Sequence, residues 1–420
     1  MKTVTAILLG AGQRGVDACA AYAKKYPNEL KIVGVAEPRQ ERRKAFARAH
    51  EICEENSVSS WEELLNRPKM ADCVFICTQD KMHYEPLKQA ARLGYHILCE
   101  KPVSPDKDEL LAIRSLAEQY DGVISVAHVL RYSPFFTKIK ELLDAGKIGR
   151  LLNIQHMEAV GYWHMAHSFV RGNWRDSHET SPMILAKCCH DFDILLFLAG
   201  MAVQRVSSFG SLTLFKEENA PADAPMRCLD GCSHRDECPF YAPRFYLEHP
   251  KAVSDGFRRV LSLDETQEAV LEALKESPYG RCVYHCDNDV VDHQVVNLEF
   301  EGGLTASLTM CAFTDRCERV ISLHGSHGEI RGWMEDNRIE VVDFATENRE
   351  VIYVHAPKTG HGGSDMAMMK RFVQMAAGEK HEKNISSAVE AVDSHLIALA
   401  AEKSRKSGGC VVEMRTFGEE

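Results

Sequence analysis

The sequence predicts an α/β protein in which a doubly wound parallel sheet is followed by a second domain that combines helices with hairpin-connected strands. Apolar runs alternate with helical segments from residue 4 to residue 127, which is typical of parallel sheets with crossover helices. The first apolar run, Val4–Leu9, leads directly into a glycine-rich turn. Two later runs, 292–300 and 304–312, are joined by Glu301-Gly302-Gly303, which predicts a hairpin.

The glycine-rich turn is Gly10-x-Gly12-x-x-Gly15, and it lies between a predicted strand and a predicted helix. Gly10 suits the tight turn, Gly12 allows a pyrophosphate to approach, and Gly15 allows the helix to pack against the strand. The free N–H groups at the start of that helix favour phosphate oxygens. This context predicts a dinucleotide site that includes Gln13 and Arg14, with an incidental glycine turn as the alternative.

Polar side chains follow several predicted strands, and such sheets bind ligands at the carboxyl ends of their strands. Glu37 follows the strand at 32–36, about twenty residues after Gly15, where an acidic side chain binds the hydroxyls of the adenine ribose. The predicted ligand site therefore extends beyond the turn. The other residues at strand ends are Thr78, His83, Glu100, Lys101 and His128.

The composition is that of an ordinary globular protein long enough for two domains, which we place at 1–126 and 127–420. The net charge of −11 argues against nucleic acid or an anionic membrane surface as a partner, and no apolar run reaches membrane-spanning length. We expect no signal peptide, because the first predicted strand begins almost directly after Met1. Fifteen cysteines fit a reducing compartment better than a disulfide framework, so we expect a cytoplasmic protein.

The motif Glu100-Lys101-Pro102 follows the predicted strand at 96–99. Together with the glycine turn, it resembles the Gfo/Idh/MocA oxidoreductase family, named for glucose–fructose oxidoreductase and inositol dehydrogenase. The resemblance extends over nearly the whole chain. The other motifs that carry it are Arg131-Tyr132-Ser133-Pro134, Gly146-Lys147-Ile148-Gly149, His190-Asp191-Phe192-Asp193 and Ser394-His395-Leu396.

This resemblance implies a Rossmann domain followed by a larger α+β domain, whose open, mostly antiparallel sheet serves for contacts in a homo-oligomer. It implies NAD(P) as the cofactor and a small-molecule carbohydrate substrate, a sugar, polyol or derivative, in the cleft between the domains. Lys101 matches the family lysine, which can stabilise alkoxide charge, and His190 matches the family histidine, an acid–base partner. Because Glu37 would repel a 2′-phosphate, we expect NAD rather than NADP, with Arg39 as the residue that could reverse this preference.

One departure from the family pattern lies beside His190. The family usually carries an aspartate four residues before this histidine, where the sequence has Ala186. Lys187 shares a helix face with His190 and is therefore a third candidate catalytic residue. The outcomes left open are net dehydrogenation of a secondary hydroxyl and redox-neutral chemistry, in which a transient ketone permits elimination (glycoside cleavage included), hydration or epimerisation. A non-catalytic NAD-binding regulator is a further alternative.

The stretch 162–175 shows neither helical nor strand periodicity and is rich in large polar side chains. We interpret it as a loop that faces the sugar, with a subunit interface as the alternative. His361, beside flexible glycines before a C-terminal helix, suggests a second loop of the cleft. The predicted substrate-binding residues are His128, Arg131, Tyr162, His164, His167, Arg171, Trp174 and His361.

Residues 215–290 form an insertion that the core fold does not require, and the insertion is polar and rich in cysteine. Cys228, Cys232 and Cys238 lie in a segment with little apolar content, which a metal bound by thiolates would order. We therefore predict a structural zinc site, with an iron–sulfur cluster or unligated thiols as the alternatives.

A tetrahedral zinc site needs a fourth ligand. Cys282 would tie the two ends of the insertion together, and Cys286 and His234 are the alternative fourth ligands.

Overall fold

The computed structural model describes residues 2–357, 360–379 and 386–419. Its first sheet has six strands: β1 (Val4–Leu9), β2 (Leu30–Ala36), β3 (Ser57–Val58), β4 (Cys73–Ile76), β5 (His96–Cys99) and β6 (Ile124–Val126). All neighbouring strands are parallel, in the order β3-β2-β1-β4-β5-β6. This is the order of a dinucleotide-binding sheet, with its switch point between β1 and β4. The predicted Rossmann sheet is confirmed.

Helices cover the first sheet: α1 (Ala21–Lys25), α2 (Gln40–Ala49), α3 (Trp61–Leu65), α4 (Tyr84–Arg92) and α5 (Lys107–Glu118). A π-helical turn, Gly15–Ala20, leads into α1. Ser60 and Glu63 form a capping box at the start of α3, so that the two side chains satisfy backbone N–H groups that the helix leaves free. In α4 the buried residues are Pro86, Leu87, Ala90 and Ala91, which form the face toward the sheet.

The second sheet has nine strands: β7 (Leu151–Ala159), β8 (Val203–Ser211), β9 (His293–Phe300), β10 (Thr305–Cys311), β11 (Glu318–Gly325), β12 (Gly328–Trp333), β13 (Arg338–Asp343), β14 (Arg349–Tyr353) and β15 (Val412–Glu413). Their order is β14-β13-β12-β11-β7-β10-β9-β8-β15. All neighbours are antiparallel except β7 and β10, which are parallel. The mostly antiparallel sheet and the β9–β10 hairpin are confirmed, whereas the sequence analysis did not identify β8, β14 and β15.

The remaining helices belong to the second part of the chain. They are α6 (Pro134–Asp144), α7 (Tyr162–His164), α8 (Met183–Ala199), α9 (Ala242–Glu248), α10 (Pro250–Ser254), α11 (Phe257–Leu261), α12 (Gln267–Glu276), α13 (Ser364–Ala376), α14 (Ala388–Lys406) and α15 (Met414–Glu419).

The stretch 162–175, predicted as a loop, is largely helical. Helix α7 continues into a π-helical segment, Met165–Arg171, in which every residue is buried. A helix that is buried on all sides needs no polar face and shows no amphipathic period. The absence of periodicity therefore reflects burial rather than irregular structure.

The insertion at 215–290 has a small apolar core of its own, contrary to its description as polar. Phe245, Tyr246 and Leu274 are among the buried residues of this core, which Trp163 joins from α7. The helices are short and their apolar positions are separated by charged residues, so the average composition of the segment is polar although its inner faces are not.

The C-terminal part of the chain returns to the first sheet. The backbone N–H of Val126 donates to Ser386 O (2.9 Å), and that of Val103 donates to His395 Nε2 (3.0 Å). Residues from the far end of the sequence thus complete the edge of β6. The proposed boundary between residues 126 and 127 stays a prediction.

A buried ion-pair network also ties α8 to neighbouring elements. Asp193 lies 2.7 Å from both His128 Nδ1 and Arg131 Nε, and Arg131 Nη1 donates to Glu390 Oε2 (2.6 Å) on α14. Burial by itself would raise the pKa of Asp193, but the charges of His128 and Arg131 outweigh that effect and lower the pKa to about 2. The carboxylate therefore stays ionised in the folded protein.

We predict that Asp193→Asn destabilises the protein by about 3 kcal/mol at neutral pH, because Arg131 loses a buried ionic partner. The wild-type carboxyl has a pKa of about 2 when folded against 3.8 unfolded. Its contribution is therefore complete above about pH 4 and is lost as the pH falls toward 2, which amounts to roughly 2 kcal/mol. Urea unfolding at pH 7 and at about pH 3 measures about half of this loss, because the folded carboxyl is still mostly ionised at pH 3.

The matched control is Asp144→Asn, whose side chain is 61% exposed and pairs with Lys140 on the surface. It should change the free energy of unfolding by less than about 1 kcal/mol at either pH. An equal acid-induced loss in the wild type and in Asp193→Asn would contradict the role given to this carboxylate.

Candidate functional site

The glycine turn after β1 has the geometry of a dinucleotide site. Gly10 has φ +93°, and a Cβ there would lie 2.4 Å from Cys77 O, while a Cβ at Gly15 would lie 2.3 Å from Gly10 O. A Cβ at Gly12 would meet nothing within 4 Å. The helical turn starts here, since Val16 N donates to Gly12 O (3.0 Å). The space at Gly12 and the helix N-terminus beside it fit a pyrophosphate.

Glu37 is held beside this turn. Its Oε2 accepts from Ala11 N (2.9 Å), its Oε1 accepts from Arg39 N (3.0 Å), and the residue is only 6% exposed. The carboxylate thus lies at the carboxyl end of β2, where it can bind ribose hydroxyls.

Gln13 and Arg14 are engaged by protein groups. Arg14 forms ion pairs of 2.8 Å with Glu100 Oε1 and with Asp365 Oδ1, at the start of α13. Gln13 Nε2 donates to Asp255 O (2.7 Å) in the insertion. Their side chains therefore fix the surroundings of the glycine turn rather than project freely into it.

Thr78 and His83 connect the loop after β4 to the motif after β5. Thr78 Oγ1 donates to Met82 O (3.1 Å), and the ring of His83 lies 3.1 Å from Thr78 O and 2.8 Å from Pro102 O. His83 is buried, so its ring acts as a structural bridge beside Lys101.

Lys101 reaches from the end of β5 to α8. Its Nζ donates to Ala186 O (3.0 Å), and within the described part of the chain it pairs with no carboxylate. His190 lies four residues after Ala186 on the same face of the helix. The structure therefore brings Lys101 to the helix that carries His190. The missing family aspartate leaves the lysine with a backbone carbonyl as its partner.

Lys187 belongs to a second buried charge network. Its Nζ lies 3.1 Å from Glu158 Oε1, and Arg319 Nη2 lies 2.9 Å from Glu158 Oε2. Arg319 Nε also pairs with Asp191 (2.8 Å), which in turn lies 2.7 Å from His156 Nε2. Cations and carboxylates alternate, so the buried charges are compensated.

The position of Lys187 in this network bears on its predicted catalytic role. Burial alone would lower its pKa, but the neighbouring Cys317 and Glu158 outweigh burial and raise the pKa above its usual value. Lys187 is therefore a permanent cation, suited to holding a substrate oxygen but not to accepting a proton at neutral pH.

His164 lies near the same cleft. Its Nδ1 is 3.9 Å from Cys317 Sγ, and burial, followed by the charges of Lys187, His167 and Lys101, lowers its pKa well below the usual value. A neutral imidazole beside Lys187 and Lys101 can hydrogen-bond a neutral hydroxyl group.

His128, Cys189 and His395 have ligand atoms within 4.8 Å of one another, which resembles a metal site. However, His395 Nε2 accepts from Val103 N (3.0 Å), while its Nδ1 lies 2.7 Å from Ala391 O and must donate to it. Neither nitrogen keeps a lone pair for a metal. His128 and Arg131, both predicted to bind substrate, serve the Asp193 network instead.

Of the other residues predicted to bind substrate, Trp174 contacts the loop after β4, whereas Tyr162 and His167 contact the insertion. Trp174 Nε1 donates to Asp80 Oδ1 (3.2 Å), and the ring of Tyr162, which is half-buried, lies 6.2 Å from that of Phe240. His167 Nδ1 lies 2.6 Å from the Tyr246 hydroxyl inside the insertion core, and burial lowers its pKa to about 3.

Arg171 is also buried against the insertion, where its guanidinium contacts two backbone carbonyls and a thiol. The structure does not bring His167 and Arg171 to the cleft. The side chain of His361 lies outside the described residues.

The four predicted metal ligands lie on neighbouring segments of the insertion. Cys228 and Cys282 are buried, and Cys232 and Cys238 are half-buried. The alternative ligands are engaged in hydrogen bonds: Cys286 Sγ with Cys282 O (3.2 Å) and His234 Nε2 with Ala222 O (2.7 Å).

Sequence reasoning missed Glu158, Asp191 and Arg319. Glu158 and Arg319 lie opposite each other on β7 and β11. The signal that could have found Glu158 and Arg319 is a charged residue within an apolar strand, because such a residue is buried only when it has a partner. The identity of that partner depends on the pairing of β7 with β11, two strands that are distant in the sequence.

Comparisons with known proteins agree with this architecture. Residues 4–128 match "Oxidoreductase family, NAD-binding Rossmann fold", and residues 140–414 match "Oxidoreductase family, C-terminal alpha/beta domain". The fold and site thus define an NAD-binding oxidoreductase. The chain belongs to the Gfo/Idh/MocA family, as its motifs predicted.

Individual relatives are more distant. The putative oxidoreductase YteT of Bacillus subtilis is 23% identical over 75% of each chain. Inositol 2-dehydrogenase of Corynebacterium glutamicum is 30% identical, over 32% of this chain and 37% of that protein. Levoglucosan dehydrogenase, solved with NADH and levoglucosan, has a TM-score of 0.70 at 19% identity and covers 98% of this chain and 99% of its own.

No helix in the described ranges combines the length and the hydropathy needed to cross a membrane.

We predict that Gly12→Ala weakens binding of NADH by about tenfold or more while the melting temperature of the free protein stays unchanged, because a Cβ at this position meets only space that the ligand would fill. Gly10→Ala provides the contrast. Its positive φ and the clash with Cys77 O should lower the melting temperature itself. Calorimetric titration and thermal unfolding separate the two effects, and unchanged NADH binding by Gly12→Ala would contradict the assignment.

Proposed function

We propose that this protein is an NAD-dependent dehydrogenase that oxidises a secondary hydroxyl of a sugar, polyol or sugar derivative. The observation that carries the proposal is the contact between Lys101 Nζ and Ala186 O, which brings the lysine after β5 to the helix that bears His190. Bound NAD would supply the hydride acceptor.

The residues have separable tasks. Lys101, without a carboxylate partner in the described chain, can donate to the reacting oxygen and stabilise negative charge on it. His190 can accept the hydroxyl proton. Lys187 and His164 can orient neighbouring hydroxyls, because one is held charged and the other neutral.

A carbohydrate substrate is supported by the relatives. Inositol 2-dehydrogenase and D-xylose dehydrogenase, by their names, act on a polyol and a sugar, and they match 32% and 28% of this chain. The polar side chains of Lys101, Lys187 and His164 around α8 suit several hydroxyl groups better than an apolar substrate.

We also propose a homo-oligomer that forms through the open face of the second sheet. On that face Phe209 and Val295 are paired neighbours and are 56% and 39% exposed. Light scattering of the wild type and of Val295→Arg would measure the oligomeric state.

All cysteines in the described part of the chain are free thiols. The cytoplasmic location stays a prediction.

We predict that Lys101→Ala lowers turnover by about a hundredfold or more with little change in NADH affinity. A screen of sugars and sugar acids for NADH formation identifies the substrate first. Lys101→Arg keeps the positive charge but replaces the compact ammonium group by a planar guanidinium. We therefore expect this variant also to have low turnover.

Lys147→Ala, at an exposed position, is the matched control and should keep wild-type turnover. Near-normal turnover in Lys101→Ala would refute the assigned role of the lysine.

We predict a preference for NADH over NADPH, because the Glu37 carboxylate would repel a 2′-phosphate. Glu37→Gln should reduce this preference by about tenfold, since it removes the charge and keeps the shape. The ratio of the two dissociation constants is the measurement. Equal or tighter NADPH binding by the wild type would overturn the claim.

Two observations favour redox-neutral chemistry as a second candidate. Ala186 replaces the family aspartate, and the insertion contacts the glycine turn through Gln13 and Asp255, which would slow cofactor exchange. In that case substrate would take up deuterium from D₂O next to the oxidised carbon without accumulation of NADH. If no carbohydrate changes the redox state of the cofactor or exchanges deuterium, the protein is an NAD-binding regulator.

A further inference from the structure

The two ends of the insertion meet as paired backbone segments that carry cysteines. Cys228 N donates to Gly280 O (3.0 Å), and Cys282 N donates to Met226 O (2.9 Å). These reciprocal bonds place Cys228 and Cys282 on adjacent antiparallel segments, although more than fifty residues separate them in sequence.

A buried guanidinium holds a third segment against these two. Arg171 Nη2 donates to Phe240 O (2.7 Å), Arg171 Nε donates to Arg281 O (2.7 Å), and Nη2 lies 3.7 Å from Cys228 Sγ. Since Phe240 comes two residues after Cys238, the segments with three of the four cysteines converge on one group.

Hydrogen-bond donors approach the sulfur of Cys228. The backbone N–H of Ala242 and the guanidinium of Arg171 lie 3.5 Å and 3.7 Å from Cys228 Sγ, an arrangement that stabilises a thiolate in a metal centre. Cys232 lies in the turned segment between Cys228 and Cys238, in which Asp230 N donates to Arg227 O (3.1 Å) and Cys238 N donates to His234 O (2.9 Å).

The charge of Arg171 lacks a partner of opposite sign. The residue is only 1% exposed, and within the described chain its guanidinium contacts carbonyls and a thiol but forms no ion pair with a carboxylate. A buried cation without a counter-ion is costly. Four thiolates on one zinc ion carry a net charge of about −2, so a metal centre would supply the missing negative charge.

We propose that Cys228, Cys232, Cys238 and Cys282 bind one metal centre through their thiolates, and that this centre fastens the insertion to the second domain beside Arg171. The proposal does not depend on the reaction at Lys101. The centre is structural, because the cysteines lie within the insertion and the sulfur of Cys228 contacts Arg171 and the backbone of the insertion.

The spacing of the sulfurs bears on the kind of centre. Among the described residues, no three of these sulfurs lie within 4.8 Å of one another, whereas a tetrahedral zinc site with Zn–S bonds of about 2.3 Å needs roughly 3.8 Å. A four-iron cluster separates its thiolates more widely, because each binds a different iron atom. The shared chemistry is thiolate ligation, and elemental analysis distinguishes the two forms.

The test is the metal content of the full chain, purified without oxygen from cells supplied with iron and zinc. We expect either about one zinc per chain, or about four iron with matching acid-labile sulfide and visible absorption. Either result supports the proposal. Less than about a tenth of a centre per chain would overturn it.

Variants assign the ligands. Cys232→Ser, at a half-buried position, should lose most of the metal and increase proteolysis within 215–290 while NADH still binds to the first domain. Cys53→Ser and Cys410→Ser, both at exposed cysteines, are the controls and should keep the metal. Full metal content in Cys232→Ser and in Cys282→Ser would also overturn the proposal. Retained NADH binding shows that a metal-free variant is folded.

Discussion

Helix α8 is the element on which the site depends, because its buried carboxylates are held by cations from other parts of the chain. Asp191 pairs with Arg319 on β11, and Asp193 pairs with Arg131 before α6. A buried carboxylate is stable only with such partners, so the helix has one position relative to both sheets. That position sets where His190 lies and which carbonyl Lys101 contacts.

The presence of Ala186 where the family usually carries an aspartate bears on the electrostatics around Lys101. A carboxylate at that position would neutralise Lys101, whereas a backbone carbonyl leaves the full positive charge available to a substrate oxygen. Lys187 does not take over the missing role, because Glu158 compensates its charge. Among the described residues, Lys101 has no carboxylate partner whereas Lys187 has one, so the two lysines have different capacities for chemistry.

The insertion connects two parts of the molecule that its sequence position does not link. Through Asp255 it contacts the glycine turn, and around Arg171 it packs into the second domain. The conformation of the insertion therefore affects the residues around the glycine turn, through the contact between Gln13 and Asp255. The sequence analysis located its cysteines but described it as polar, because the apolar residues of α9 and α12 are separated by charges. Only their packing around Tyr246 shows a core.

The sequence by itself determined five of the six strands of the first sheet, the glycine turn, the strand-end positions of Glu37 and Lys101, and the β9–β10 hairpin. These features depend on residues close together in the chain, where period and turn chemistry are sufficient. Tertiary structure decided which histidines face the cleft, because burial and partners such as Asp193 and Tyr246 come from distant segments. It also decided that residues 162–171 are helical, since a segment buried on all sides has no amphipathic pattern to recognise.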